Sequence, residues 1–130
     1  MTTETQDLID LRLVQAEESL LEARTLIDRG LCRGAMDRIY FTMFYCVCAL
    51  LATKEFGPSP DGDVAAKFHR EFVKTGLVPR EIGELFAVAT QLHQDTDFGA
   101  HAPPDCDRMK QLLEEAENFL TTTKLFLGKA

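Results

Sequence analysis

The chain has 130 residues and a net charge of −7 with a pI near 4.9, the size of one modest domain that can bury a single core without staples. That acidity opposes a free-standing nucleic-acid binder, which needs a positive footprint to neutralise phosphates, so no DNA partner is expected. There is no Trp, and nine Phe against two Tyr point to aromatic residues used for packing. Nothing before the first helix has the charged and apolar regions of a secretory leader, which leads us to expect a cytoplasmic protein.

In chain order, the first predicted helix runs from about Thr5 to Arg29. Its Ile9, Leu13, Ala16, Leu20, Ala23 and Ile27 alternate spacings of four and three and form one continuous apolar seam. Gly30 ends it in the manner of a C-terminal cap. The second helix, about Cys32 to Lys54, contains AMDRIYFTMFYCVCALLA (35–52), apolar around most of its circumference as only a helix surrounded by others can be. Its apolar run from Ile39 to Ala52 is shorter than the roughly 20 residues a bilayer span takes, so it reads as a core helix and no membrane partner is expected.

The loop FGPSPDGD (56–63) follows, with two Pro and two Gly. A short third helix is predicted over about Asp63 to Thr75, with Val64, Phe68 and Phe72 on one face. Pro79 suits the first turn of a fourth, about Pro79 to His93, whose stripe is Ile82, Leu85, Phe86, Ala89 and Leu92. Asp95 to Asp105 leaves regular helix at Gly99, Pro103 and Pro104. Asp105 or a neighbour then starts the last helix, which turns Met109, Leu112, Leu113, Ala116, Phe119 and Leu120 inward. With no strand alternation, repeat or linker, the expectation is all-α: a single domain over 1–130, a four-helix up-and-down bundle with an additional short helix. The bundle has more apolar positions, including Phe41, Phe44, Leu113 and Phe119, than one helix pair can cover, which predicts a homodimer.

Cys32, Cys46, Cys48 and Cys106 contain no CxxC pair, and Cys46 and Cys48 lie about 200° apart around a helix. All four are expected to be small buried hydrophobes kept reduced. Arg12, Arg24, Arg29, Arg33 and Arg38 crowd the first third and are expected on a salt-bridged face. His93, Asp95, Asp97, His101 and Asp105 form the densest ionisable cluster, a group that can in principle bind metal or supply an acid and a base. Its spacing fits no metal-site template, so neither metal nor cofactor is expected. His69, between Phe68 and Arg70, reads as a surface or boundary residue.

Arg38, Tyr40, Phe41, Met43, Phe44, Ala49, Leu50 and Leu51 form a pattern that resembles the second-helix signature of HEPN domains, in the UPF0332 subgroup. FHREFVKTG (68–76) and LHQDTDFG (92–99) resemble that subgroup's later blocks, so the likeness spans most of the chain. Catalytic members are metal-independent ribonucleases with an Arg, four to six intervening residues and a His, assembled across a dimer. No Arg stands at that distance before His69, His93 or His101. Where the subgroup block typically reads Arg-x-x-Ala-Asp-Tyr, this chain has His93, Gln94, Asp95, Thr96, Asp97 and Phe98, keeping only the Asp. Loss of the Arg removes the group expected to hold phosphate. Phe98 has no hydroxyl to adenylylate, the regulation seen in related toxin and antitoxin pairs.

The resemblance therefore implies a noncatalytic HEPN-like binding module, dimeric, working with a partner such as a small nucleotidyltransferase in a toxin–antitoxin-like system. The competing expectation is a divergent ribonuclease in which His93, Asp97 and His101 converge, and a third is an assembly scaffold. Arg38 beside the apolar segment needs an acidic partner. Asp97 is expected to supply it, with Tyr40 or Tyr45 hydrogen-bonding, as a helix clamp or as a pocket for a nucleotide or RNA phosphate.

Overall fold

The computed structural model describes residues 1–54, 64–97 and 105–129, with the side chains of Thr96 and Asp97 outside that description. Five helices occupy it, with no strand among the described residues: α1 (Thr3–Asp28), α2 (Cys32–Ala52), α3 (Val64–Phe68), α4 (Arg80–Asp97) and α5 (Cys106–Leu127). The all-α expectation holds. The predicted loop 56–63 and most of 95–105 lie outside the described residues.

Both ends of α1 have a local cause. The Thr2 hydroxyl accepts from the Thr5 N–H at 3.1 Å and caps α1, a bond worth about 1 kcal/mol. At the other end Gly30 takes φ +74°, the left-handed conformation that lets the chain reverse, and the Leu31 N–H closes on the Leu26 carbonyl at 2.8 Å. All six residues of the predicted α1 seam are buried, and they pack against α2. α2 is the centre: every residue from Cys46 to Ala52 is buried, close to two full turns with no solvent face. It is the one described helix long and apolar enough to cross a membrane, with mean hydropathy 1.4, yet 67% of that stretch lies inside the protein. Its apolar face is answered by other helices.

α5 runs antiparallel to α1, and Arg24–Glu117 (2.5 Å), Glu17–Lys124 and Asp10–Lys129 (3.0 Å) tie the two in register. Exposed pairs of this kind contribute about 0–1 kcal/mol each, so they select register more than they supply stability. α4 lies antiparallel to α2, with Tyr40 against both Phe86 and His93. Phe68, Phe86 and Phe119 meet ring to ring at 5.7–6.4 Å and lock α3, α4 and α5 together. Phe119 is fully buried, so it adds nothing to a surplus apolar surface, whereas Phe41, Phe44 and Leu113 are half-buried.

Three features depart from the sequence reading, the first being that α4 continues to Asp97, past its expected end near His93 and into the stretch from Asp95 expected to leave regular helix. The third helix is not regular throughout: from His69 to Val73 it widens into a π-type turn, with the Lys74 N–H on the His69 carbonyl at 2.8 Å. The wide turn sets Val73 against α4 at Gly83. The cysteines are also not all free. Cys32 and Cys106, the first residues of α2 and α5, are joined by a disulfide with Cα atoms 5.5 Å apart, and only Cys46 and Cys48 are the buried thiols expected. Burial pushes the thiol pKa of Cys46 up to about 12 and that of Cys48 up to about 11.

A Cβ on Gly83 would stand 2.9 Å from both Val73 methyls. Gly83→Ala should therefore destabilise the protein by about 1 kcal/mol, overpacking outweighing the helix-propensity gain. In a urea-unfolding double-mutant cycle, Val73→Ala should cost less on the Gly83→Ala background than alone, and simple additivity would show that the contact is not tight.

Candidate functional site

The polar residues of α2 sit at its start because from Cys46 onward the helix has no solvent to offer them. Arg38 is about one-third exposed and turns back on its neighbour: its Nη2 donates to Asp37 Oδ2 at 2.7 Å, and its Nη1 lies 3.6 Å from Glu22 of α1. The guanidinium also stands 5.0 Å over the Phe41 ring. The other Asp37 oxygen reaches across to α4, where Oδ1 is 2.8 Å from His93 Nε2. An ionised carboxylate only accepts, so Nε2 carries the hydrogen of this bond.

The imidazole is held by its faces as well as its edge. It stacks on Tyr40 with centroids 4.2 Å apart and planes within 9° of parallel, and Phe41 meets it edge-on at 5.6 Å. Only 16% of the His93 side chain is exposed. One carboxylate thus bridges an arginine of its own helix and a histidine of the facing helix, above an aromatic floor.

Burial works to raise the Asp37 pKa, but hydrogen bonds and charge from Arg38 and His93 prevail and hold it below the ordinary carboxylate range. Arg38 responds in the opposite sense: partial burial opposes its charge, while Asp37 and Glu22 raise its pKa above the usual value. Burial also raises the Tyr40 phenol. Beside this cluster Gln15, Glu18, Ser19, Glu22, Arg38 and Tyr45 line a shallow cleft of about 240 Å³ between α1 and α2.

The predicted site residues are distributed as follows. Arg38, Tyr40 and His93 come together, and Tyr45 lines the adjoining cleft. Asp97 is the last residue of α4, but its side chain lies outside the described residues, as does the whole of His101. The acids seen on Arg38 are Asp37 and Glu22. Asp37 was not among the predicted site residues, although it stands three before Tyr40 and so on the same face of an otherwise apolar helix. His69 is exposed, a surface residue. No group of three or more His, Cys, Asp or Glu placed to hold a metal ion occurs among the described residues.

With that geometry established, a sequence profile described as HEPN domain matches residues 9–126. A protein of Methanocaldococcus jannaschii named "putative toxin" is 35% identical over 113 residues, 87% of this chain and 77% of its own. A UPF0332 protein of Thermotoga maritima is 33% identical over 117 residues, covering 90% and 89% of the two chains. Another UPF0332 protein, from Gloeobacter violaceus, is 30% identical over 131 residues, covering 99% and 100%.

Replacing Asp37 by Ala should lower stability by about 1–2 kcal/mol, and a cycle with His93→Ala should return a coupling of about 0.5–1.5 kcal/mol. A depressed carboxylate pKa contributes stability that is complete above the unfolded value near 3.9 and is lost as pH falls through the folded value. The stability contributed by Asp37 should therefore begin to fall below about pH 4 in the wild type. Asp37→Asn should have a shallower pH dependence of stability in that window, and identical slopes would remove Asp37 from the linkage.

Proposed function

Because the chain belongs to the HEPN domain family, we propose that it is a noncatalytic helical interaction module, the HEPN member of a toxin–antitoxin-like pair. Its partner in this reading is a small nucleotidyltransferase, and the module works as a cytoplasmic homodimer. The observation that carries the noncatalytic part is the commitment of His93: its Nε2 hydrogen goes to Asp37 while its ring is closed between Tyr40 and Phe41. A histidine so held makes a firm strut between α2 and α4. The absence of the family's Arg-to-His spacing supports the same conclusion.

One observation favours a second reading, a divergent metal-independent ribonuclease. A carboxylate on an imidazole nitrogen, beside an arginine, is also the arrangement that orients a general acid or base and steadies a phosphate. In that case Asp37, in addition to Asp97 and His101, would stand with His93 in the reaction centre.

Fluorescent single-stranded RNA in EDTA separates the two. The wild type and a His93→Ala, His101→Ala variant should leave it equally intact, while sedimentation gives a dimer mass. Cleavage by the wild type that disappears in the variant, with folding preserved, would establish the ribonuclease instead.

A further inference from the structure

Both ends of the disulfide occupy the same structural position, the first residue of an α-helix: Cys32 opens α2 and Cys106 opens α5. A helix N-terminus presents unsatisfied N–H groups and the positive end of the macrodipole, so it stabilises a thiolate and makes the reduced form easier to reach. The two ends are otherwise unlike. At α2 the preceding residue, Leu31, provides no side-chain cap. At α5 the Asp105 carboxylate already caps the Asp107 N–H at 3.0 Å, and Asp105 and Asp107 flank Cys106 with negative charge. Cys32 is buried at 5% exposure, and Cys106 is half-buried.

We propose that Cys32–Cys106 is a thiol–disulfide switch that fixes the first turns of α2 and α5 when oxidised and releases them when reduced. The reductant is a dithiol, or two monothiols of the glutathione class. Its thiolate attacks the more accessible sulfur, Cys106 Sγ, and the S–S bond breaks with its electron pair leaving on Cys32 Sγ at the N-terminus of α2. The second reductant thiol attacks the mixed disulfide and frees Cys106. Two electrons and two protons pass to the protein, and the reductant becomes a disulfide. Cys46 and Cys48 do not compete, because both are buried in the core.

The site lies in the path of this change. Asp37 and Arg38 follow Cys32 by five and six residues, so the bond anchors the segment that carries the bridge to His93. It links positions 74 residues apart, and within the described residues nothing else covalent connects α2 to α5. The inference stands on the disulfide and its helix positions, and it is independent of whether RNA is cleaved.

The test is a redox titration of the full chain in glutathione buffers, with free thiols counted by maleimide labelling after denaturation. The oxidised protein should show two thiols and the reduced protein four, with the midpoint inside the range that glutathione buffers span. On reduction, backbone hydrogen exchange in the first turns of α2 and α5 should quicken by about tenfold or more, while the middle of α1 stays unchanged. Cys32→Ser, Cys106→Ser should show the reduced exchange pattern in every buffer, and if that variant does not fold, the wild-type titration decides alone. Four thiols in air-purified protein, a bond that survives the most reducing glutathione buffer, or exchange indifferent to reduction would each overturn the switch.

Discussion

The burial of α2 governs the rest of this molecule. Seven consecutive residues, Cys46 to Ala52, have no solvent face, so helices must stand on every side of them. α1, α4 and α5 supply that cover, and each carries an apolar stripe cut to the task. The same constraint sorts the polar groups. A charge cannot be carried into the second half of α2 without a partner, and the charged residues of the helix, Arg33, Asp37 and Arg38, all fall near its start. The site is therefore placed by the core: it occupies the end of the central helix where ionised groups remain affordable and where α4 passes close enough to supply a histidine.

Much of this was legible because the information was local and periodic. The α1 seam, the Gly30 stop and the inward face of α5 follow from spacing, since a helix repeats its environment every three or four residues and the side chains record it. The π-type turn after Phe68 was not legible, because the apolar pattern of Phe68 and Phe72 fits a regular turn as well as a widened one. The disulfide was hidden for a different reason. Bridging requires Cα atoms within about 7 Å, and nothing along the chain says that two helix starts 74 residues apart meet that condition. Spacing excluded a CxxC site and could say no more.

The site was half legible. An arginine beside an apolar run demands an acid, and that demand is visible in sequence; which acid answers is a tertiary fact. Sequence points to Asp97 across the bundle, whose side chain lies outside the described residues, and an acid seen on Arg38 is its neighbour Asp37, although adjacent residues on a helix point about 100° apart. Arg38 is long enough to fold back over that angle, and Asp37 has two oxygens to divide between helices. His93 stands out in sequence as a polar residue of interest, but its stacking on Tyr40 depends on the crossing of α2 and α4, which no periodicity encodes.

What His93 does at the head of its block follows from its shape. An arginine there would bring a long stem, five N–H donors and a charge that persists at any physiological pH, a group suited to gripping phosphate. Imidazole brings a short, flat ring that donates one N–H to Asp37 and lays its face on Tyr40, a combination suited to closing a helix interface. Asp37 divides its two oxygens between Arg38 and His93, so one carboxylate serves both helices at the mouth of the core. Held by its edge to Asp37 and by its face to Tyr40, His93 joins α4 to the start of α2 at the one end of the central helix where polar groups can reach solvent.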